Sequence, residues 1–164
     1  MTKNTQTQKT IFNNKIKIID QYLEDLLQKN AQHPSMLLNQ KEKISGVYVF
    51  SESKPNGEDF LYVGQSNSIH ARLREHCAIK NYSKANFAYE LALTSSGKKP
   101  IPSSPNSTKK SMFQDSDFVR EFNKATQRIM SMNYRFIEVE DKLEKNLLEI
   151  YAAVVLDSKY NDFS

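Results

Sequence analysis

Cysteine, tryptophan and long apolar runs are scarce or absent in this sequence. Among its 164 residues, Cys77 is the only cysteine and tryptophan does not occur. A single cysteine excludes an internal disulfide and a zinc site built from several cysteines. No apolar run approaches the roughly 18 residues that a membrane span needs, and the polar residues 1–6 lack the apolar stretch of a secretory signal. We therefore expect a cytoplasmic protein that does not enter a membrane.

Several sequence signatures of common functions are also missing. The chain has no glycine-rich phosphate loop, no Gly-x-Ser-x-Gly motif and no His-Glu-x-x-His motif. Their absence excludes the commonest patterns of nucleotide-binding proteins, serine hydrolases and metalloproteases. No repeat at a fixed period is visible. The length and the hydrophobic content of 38% suit one compact unit with a modest core.

The charge is moderately basic. The formal net charge is +4 and the isoelectric point is about 9.0, so nucleic acid, an anionic membrane or another polyanion is a reasonable partner. A proline- and serine-rich segment, residues 94–112, holds four lysines and no acid, and its composition predicts a loop. The four are Lys98, Lys99, Lys109 and Lys110. They either contact a nucleic-acid backbone or form a solvated surface.

Apolar spacing predicts the secondary structure. Residues 11–28 show the spacing of an amphipathic helix, which His33-Pro34 is expected to end. Residues 44–50 and 60–64 predict a β-hairpin with a longish turn around Pro55-Asn56-Gly57. The remaining pattern predicts helices at 66–79, 86–93, 117–132 and 143–156 and a third strand at 134–139. This order predicts a mixed α/β unit with a small sheet.

Two local features are interpreted structurally. The apolar stripe of the N-terminal helix is expected to pack on the core, and a dimer interface is the alternative. Asp115 and Asp117 stand at the start of the helix 117–132 and are interpreted as capping residues rather than metal ligands, since acids favour the N-terminal end of the helix dipole.

Charged side chains interrupt one predicted apolar helix face after the hairpin. Arg72 and His76 fall on the same face as Ile69 and Leu73. A guanidinium brought toward a sheet must be paired or must face a cleft, and an arginine with a histidine one turn later suits a phosphate-bearing substrate. The alternative is an arginine bonded to a backbone carbonyl or an acid, with a histidine at the helix end.

Glu149 interrupts the last helix in a similar way. It is the one carboxylate in the otherwise apolar stretch 147–156. An ionised carboxylate in such a helix must be paired, protonated or bound to a cation, because unpaired burial costs several kcal/mol. A salt bridge, with Arg72 among the candidate partners, or an exposed helix edge is the structural alternative.

Four separated stretches of the chain resemble the motifs of the GIY-YIG nuclease superfamily. The first is Gly46-Val47-Tyr48. The second runs from Tyr62-Val63-Gly64 on the predicted hairpin into the following helix, where it contains Arg72 and His76. The third contains Glu149 on the last helix, and the fourth is Tyr160-Asn161 after it. The resemblance covers roughly residues 44–161. It implies a small three-stranded antiparallel sheet flanked by helices in a nuclease domain, 44–164, with residues 1–43 as a helical N-terminal extension.

The sequence departs from the family pattern in two places. Ser158 stands where many members have a proline before the terminal Tyr-Asn, and the segment between His76 and the third strand is longer than in the smallest members. Neither departure removes a group that the resemblance assigns to the chemistry.

The resemblance implies a metal-dependent endonuclease that hydrolyses phosphodiester bonds, with DNA as the expected substrate and either a stand-alone or a restriction-like role. Tyr48 would be the general base. Since a free tyrosine has a pKa near 10, a nearby cation or proton acceptor must favour its phenolate, and His76 and the metal are the candidates. Tyr62 would orient the water or the phosphate.

The other three site residues follow from the same resemblance. Arg72 would donate hydrogen bonds to the scissile phosphate. Glu149 would hold one divalent ion, Mg²⁺ or Mn²⁺, which keeps several waters and takes phosphate oxygens. Asn161 would support the site by hydrogen bonding. Two alternatives remain: a non-catalytic nucleic-acid-binding or assembly subunit with the same fold, and a nuclease directed at single strands or RNA.

Overall fold

A computed structural model of the protein describes residues 3–78, 83–99 and 108–161. In this part of the chain the elements are α1 (Lys3–Gln28), α2 (Pro34–Leu37), β1 (Gly46–Lys54), β2 (Gly57–Ser66), α3 (Ile69–Cys77), α4 (Asn86–Ser96), α5 (Thr108–Met112), α6 (Ser116–Ser131), β3 (Asn133–Glu138) and α7 (Lys142–Val155).

The three strands form one antiparallel sheet in the order β2-β1-β3. This confirms the predicted three-stranded antiparallel sheet flanked by helices. The prediction of a longish hairpin turn was wrong, because Lys54 pairs with Gly57 and only Pro55 and Asn56 remain between the strands. Both strands continue through exposed polar residues after the apolar pattern has ended. A register shift after Phe50 leaves one extra residue in β2.

The predicted helical stretch 11–28 has the end that the structure shows, but the prediction that His33-Pro34 ends this helix was wrong. α1 ends at Gln28, and Pro34 begins the short helix α2 at a position where proline fits, because the first helical residue needs no N–H donor. The predicted loop 94–112 is partly helical: α4 continues to Ser96 and α5 begins at Thr108. Its residues 100–107 lie outside the described residues, as does Ile79, the predicted end of α3. The capping role of Asp115 is confirmed, since its side chain accepts hydrogen bonds from the backbone N–H groups of Asp117 and Phe118.

Each face of the sheet has its own apolar core. On β1, Tyr48 and Phe50 point into a core formed with α3, α4 and α6, whereas Val47 and Val49 point into a core formed with α1 and α7. Alternate residues of a strand face opposite sides of the sheet, so one strand supplies both cores. The aromatic residues of the hairpin motifs therefore lie on the α3–α4 side.

The N-terminal helix packs on the second core. Ile19, Leu23 and Leu26 are buried there, which confirms the packing interpretation of its apolar stripe. Ile11, Phe12 and Ile18 remain exposed, and a dimer interface on this helix stays a prediction. None of the helices in the described part of the chain has the length and apolar character that a membrane span requires.

Candidate active site

Two glycines of the hairpin motifs stand where a side chain has no room. A Cβ atom on Gly46 would overlap the backbone carbonyl of Ile137 in the neighbouring strand β3. A Cβ atom on Gly64 would overlap the Tyr48 hydroxyl and lie 2.5 Å from its ring carbon Cζ. Gly64 pairs with Tyr48 across β1 and β2, so the missing side chain lets the Tyr48 ring lie flat over β2. The local backbone thus determines where the Tyr48 hydroxyl lies.

Tyr48 and His76 form a buried pair beneath the sheet. The Tyr48 hydroxyl lies 2.8 Å from His76 Nε2, and the two residues are 1% and 0% exposed. Burial raises the pKa of Tyr48 far above its usual value. Burial and the Arg72 charge lower the pKa of His76 well below its usual value, so the imidazole is neutral. These shifts favour the uncharged forms of both groups. The role of Tyr48 as a general base stays a prediction, and the burial of its hydroxyl argues against that role.

Arg72 is half-buried and lies beside both motif tyrosines. Its Nη1 atom donates to Glu75 Oε2 at 3.0 Å and to the Lys84 carbonyl at 2.8 Å. Burial raises the pKa of Tyr62, and the neighbouring Arg72 charge opposes that rise. Arg72 forms an ion pair with Glu75 rather than with Glu149. Its guanidinium therefore makes structural bonds, and its charge also acts on the pKa of both tyrosines.

Next to these residues lies an open cavity of about 710 Å³. Three of the six residues that the resemblance places in the site line it, namely Tyr62, Glu149 and Asn161. Tyr48 and His76 lie behind Tyr62, with ring centroids 6.4 Å and 5.5 Å from the Tyr62 ring. Tyr62, Glu149 and Asn161 therefore form a layer that lines the cavity. Tyr48 and His76 form a buried layer behind it.

Glu149 faces the cavity from α7. Burial raises the pKa of its carboxyl group, while the backbone and side-chain amides of Gln65 and the charge of Arg72 oppose that rise. The Gln65 side chain also donates to Asn146 Oδ1 at 2.6 Å. Gln65 thereby joins the end of β2 to α7 and favours the charged form of the carboxylate.

Lys145 fixes the same helix one turn earlier. It is 2% exposed, and its Nζ atom donates to Ser45 Oγ at 2.8 Å and to Asn67 Oδ1. Burial of a lysine requires such bonds, since an unsatisfied ammonium is costly. Lys145 therefore anchors the start of α7 to the segments that precede β1 and follow β2.

Asn161 acts as a clamp on the edge strand β2. Its side-chain oxygen accepts from the Val63 N–H and its amide nitrogen donates to the Val63 carbonyl, both at 2.7 Å. The Ser158 hydroxyl also donates to the Asn161 side-chain oxygen at 2.7 Å. The predicted supporting bonds thus go to the backbone of β2, and they bring Lys159 and Tyr160 to the wall of the cavity.

The opposite wall contains residues that the sequence analysis did not select. Asn86, Glu90 and Thr94 line the cavity from α4 and recur at every fourth residue, so they share one face of that helix. The rest of α4 is largely apolar and buried. A polar stripe on an apolar helix is a signal that could have identified this wall from the sequence.

The four predicted lysines lie in different surroundings. Lys98 forms an ion pair with Asp115, and Lys99 and Lys110 are exposed. Lys109 lines the cavity. The four lysines therefore differ in their partners, and their contact with a nucleic-acid backbone stays a prediction.

The divalent ion that the resemblance implies would meet one motif carboxylate, Glu149, in the cavity. Within residues 3–78, 83–99 and 108–161, no three His, Cys, Asp or Glu side chains are grouped so that they could hold a metal. Glu149 offers one carboxylate in an open cavity, and Mg²⁺ retains waters and takes phosphate oxygens. Glu149 would hold the ion, which would supply Lewis-acid stabilisation of a phosphoryl oxygen.

Removing the Gln65 side chain tests the electrostatics of Glu149. In Gln65→Ala one group that lowers the pKa of Glu149 is lost, so the carboxylate takes up its proton at higher pH. We expect the titration midpoint of the Glu149 carboxyl group, followed by NMR, to move to higher pH. Gln21→Ala changes an exposed residue of α1 and is expected to leave the midpoint in place. An unchanged midpoint in Gln65→Ala would contradict this account.

No family model, curated protein or solved structure matches this chain. The likeness to the GIY-YIG superfamily therefore rests on the motif residues, and the activity that it implies is a proposal.

Proposed function

We propose that this protein is a metal-dependent endonuclease that hydrolyses phosphodiester bonds in DNA. One observation carries the proposal: residues from distant parts of the chain, Tyr62 on β2, Glu149 on α7 and Asn161 after it, line one open cavity. A half-buried arginine, Arg72, lies beside Tyr62 and influences Glu149. Hydrolysis of a phosphodiester depends mainly on positioned cations and an oriented water nucleophile. Arg72, a metal ion held by Glu149, and Tyr62 would supply these.

The surface that contacts substrate is assigned to the layer that lines the cavity. Tyr62 orients the attacking water or the phosphate, and Glu149 would hold the metal ion. Arg72 lies beside Tyr62 but is not among the residues that line the cavity, so its charge stabilises the charge that develops on the phosphate from behind this layer. Tyr48 is 1% exposed, so in this conformation it supports Tyr62 and His76 from behind. As the general base it would first have to be uncovered.

The burial of Tyr48 and the bonds of Arg72 also suit a second function, that of a non-catalytic nucleic-acid-binding subunit. A buried Tyr48 with a raised pKa and an Arg72 bonded to Glu75 and the Lys84 carbonyl are also what a non-catalytic nucleic-acid-binding subunit would have. The two proposals differ in one outcome, which is turnover.

Incubation with single- and double-stranded DNA and with RNA separates these functions. We expect cleavage of DNA with Mg²⁺ or Mn²⁺ and none with EDTA. Preferential cleavage of RNA or of single strands would redirect the proposal to those substrates. Binding with no cleavage of any substrate under either metal would favour the non-catalytic subunit.

Arg72→Ala provides the matching variant. We expect it to lower kcat for cleavage by about 10²-fold to 10³-fold, the loss typical of one electrostatic donor to a transition state. The comparison is Arg120→Ala on α6, whose side chain is 63% exposed, and which should cleave like the wild type. Equal activity of the two variants would argue against a catalytic role for Arg72.

A further inference from the structure

Lys109 differs from the other three lysines of its segment in how it is held. Its Nζ atom donates to Asn86 Oδ1 at 2.6 Å and lies 5.0 Å from the centroid of the Tyr89 ring. Asn86 is uncharged and the ring is neutral, so these contacts fix the ammonium without cancelling its charge. Among the described residues, Lys109 forms no ion pair with a carboxylate.

The ammonium of Lys109 retains donors for a ligand. A lysine carries three N–H donors, and Asn86 takes one of them. The side chain is half-buried and lines the cavity that also contains Glu149 and Tyr62. A fixed, half-buried cation binds an anionic oxygen more strongly than a freely moving surface lysine, because less conformational entropy is lost and less solvent screens the charge.

Lys109 also interacts electrostatically with two charged residues of the site. Burial lowers the pKa of its ammonium, the negative charge of Glu90 opposes that shift, and the positive charge of Arg72 adds to it. Glu90 therefore compensates part of the positive charge that Arg72 and Lys109 supply, and a bound anion would compensate more of it. Consecutive phosphates of a polynucleotide supply such anions at regular spacing.

We propose that Lys109, anchored by Asn86 and Tyr89, forms a phosphate-binding subsite for the phosphate next to the one that is cleaved. This inference rests on the proposed function, because it takes the scissile phosphate to lie at Glu149 and Arg72. It deepens that function by naming the substrate: a chain with at least two consecutive phosphates, in preference to an isolated diester. Lys109 is then a residue that determines specificity for polynucleotides.

The probe is a pair of thymidine dinucleotides, one with the single internal phosphate and one with an added terminal phosphate at the 5′ or 3′ end. Their binding is measured in EDTA by competition with a fluorescent oligonucleotide, so no cleavage occurs. We expect the added phosphate to strengthen binding to the wild type about tenfold, the effect of one charged hydrogen bond. Lys109→Ala should lose this gain, and Lys109→Arg should keep most of it.

Lys110→Ala is the charge-matched comparison, since Lys110 is the next residue of the same helix and is exposed. It removes the same charge and should weaken binding only about twofold for both dinucleotides. Circular dichroism and thermal unfolding verify that each variant is folded. A gain that persists in Lys109→Ala, an equal loss in Lys110→Ala, or no gain in the wild type would overturn the subsite.

Cleavage assays distinguish this failure from failure of the proposed function. If the wild type cleaves DNA with Mg²⁺ and Lys109→Ala shows no loss of phosphate preference, the nuclease proposal survives and the subsite does not. If the preference depends on Lys109 but no DNA or RNA is cleaved, the subsite survives as a binding site and the nuclease proposal fails.

Discussion

Under the proposed function, Glu149→Gln is expected to reduce cleavage of DNA about 10³-fold at neutral pH with saturating Mg²⁺. The substitution keeps the size of the side chain and removes the charge. Glu149 is the motif carboxylate that lines the cavity beside Tyr62, and a neutral amide is a much weaker ligand for a divalent ion. The measurement is kcat/KM for a defined DNA substrate, with binding in EDTA recorded in parallel.

The control for this prediction is Glu140→Gln. Glu140 is exposed in the segment between β3 and α7, so the change removes the same charge away from the cavity and should leave kcat/KM within about twofold of the wild type. Binding of DNA in EDTA should survive in both variants. If Glu149→Gln keeps more than about a tenth of the activity, the carboxylate does not hold the metal in the way proposed.

Gly46→Ala is expected to destabilise the protein by about 3 kcal/mol, since a methyl group forced into a packed position is costly. The new Cβ atom would overlap the Ile137 carbonyl, with the Ile137 carbonyl carbon at 3.0 Å and Glu138 Cα at 3.2 Å. All three are backbone atoms of β3, so relief requires β1 and β3 to separate. The midpoint of thermal unfolding should fall by about 10 °C.

Gly97→Ala is the comparison variant, because it introduces backbone strain without a steric overlap of the new Cβ atom. Gly97 ends α4 with a φ of +66°, and nothing lies within 4 Å of an added Cβ atom, so the expected cost is about 1 kcal/mol. Thermal unfolding followed by circular dichroism measures both variants. A Gly46→Ala protein that melts no lower than Gly97→Ala would show that the strands accommodate the methyl group.

The sequence predicted those features that depend on local apolar spacing. Helices and strands were located because buried side chains recur with the period of each element, and the hairpin followed from two such strands around a turn. The turn itself was predicted too long, because periodicity reports burial while backbone pairing continues through exposed residues such as Glu52 and Glu58. Hydrogen bonds between strands do not require an apolar side chain.

Part of the cavity lining could be predicted. Glu149 was selected because a carboxylate interrupts an apolar helix, and the polar stripe of α4 at Asn86, Glu90 and Thr94 carried a signal of the same kind. By contrast, no local pattern separates Lys109 from Lys110. Their difference arises from the position of α5 against α4, which depends on tertiary packing.

The clamp that Asn161 places on Val63 has a consequence for the solubility of the protein. β2 is an outer strand of the sheet, and an outer strand with free backbone groups invites pairing with another polypeptide. Asn161 occupies the polar groups of Val63, and the Tyr160 N–H occupies the Leu61 carbonyl at 2.9 Å. Pairing of another polypeptide with this strand would first have to displace residues 160 and 161. Because both residues line the cavity, self-association by this route and an intact cavity would exclude each other.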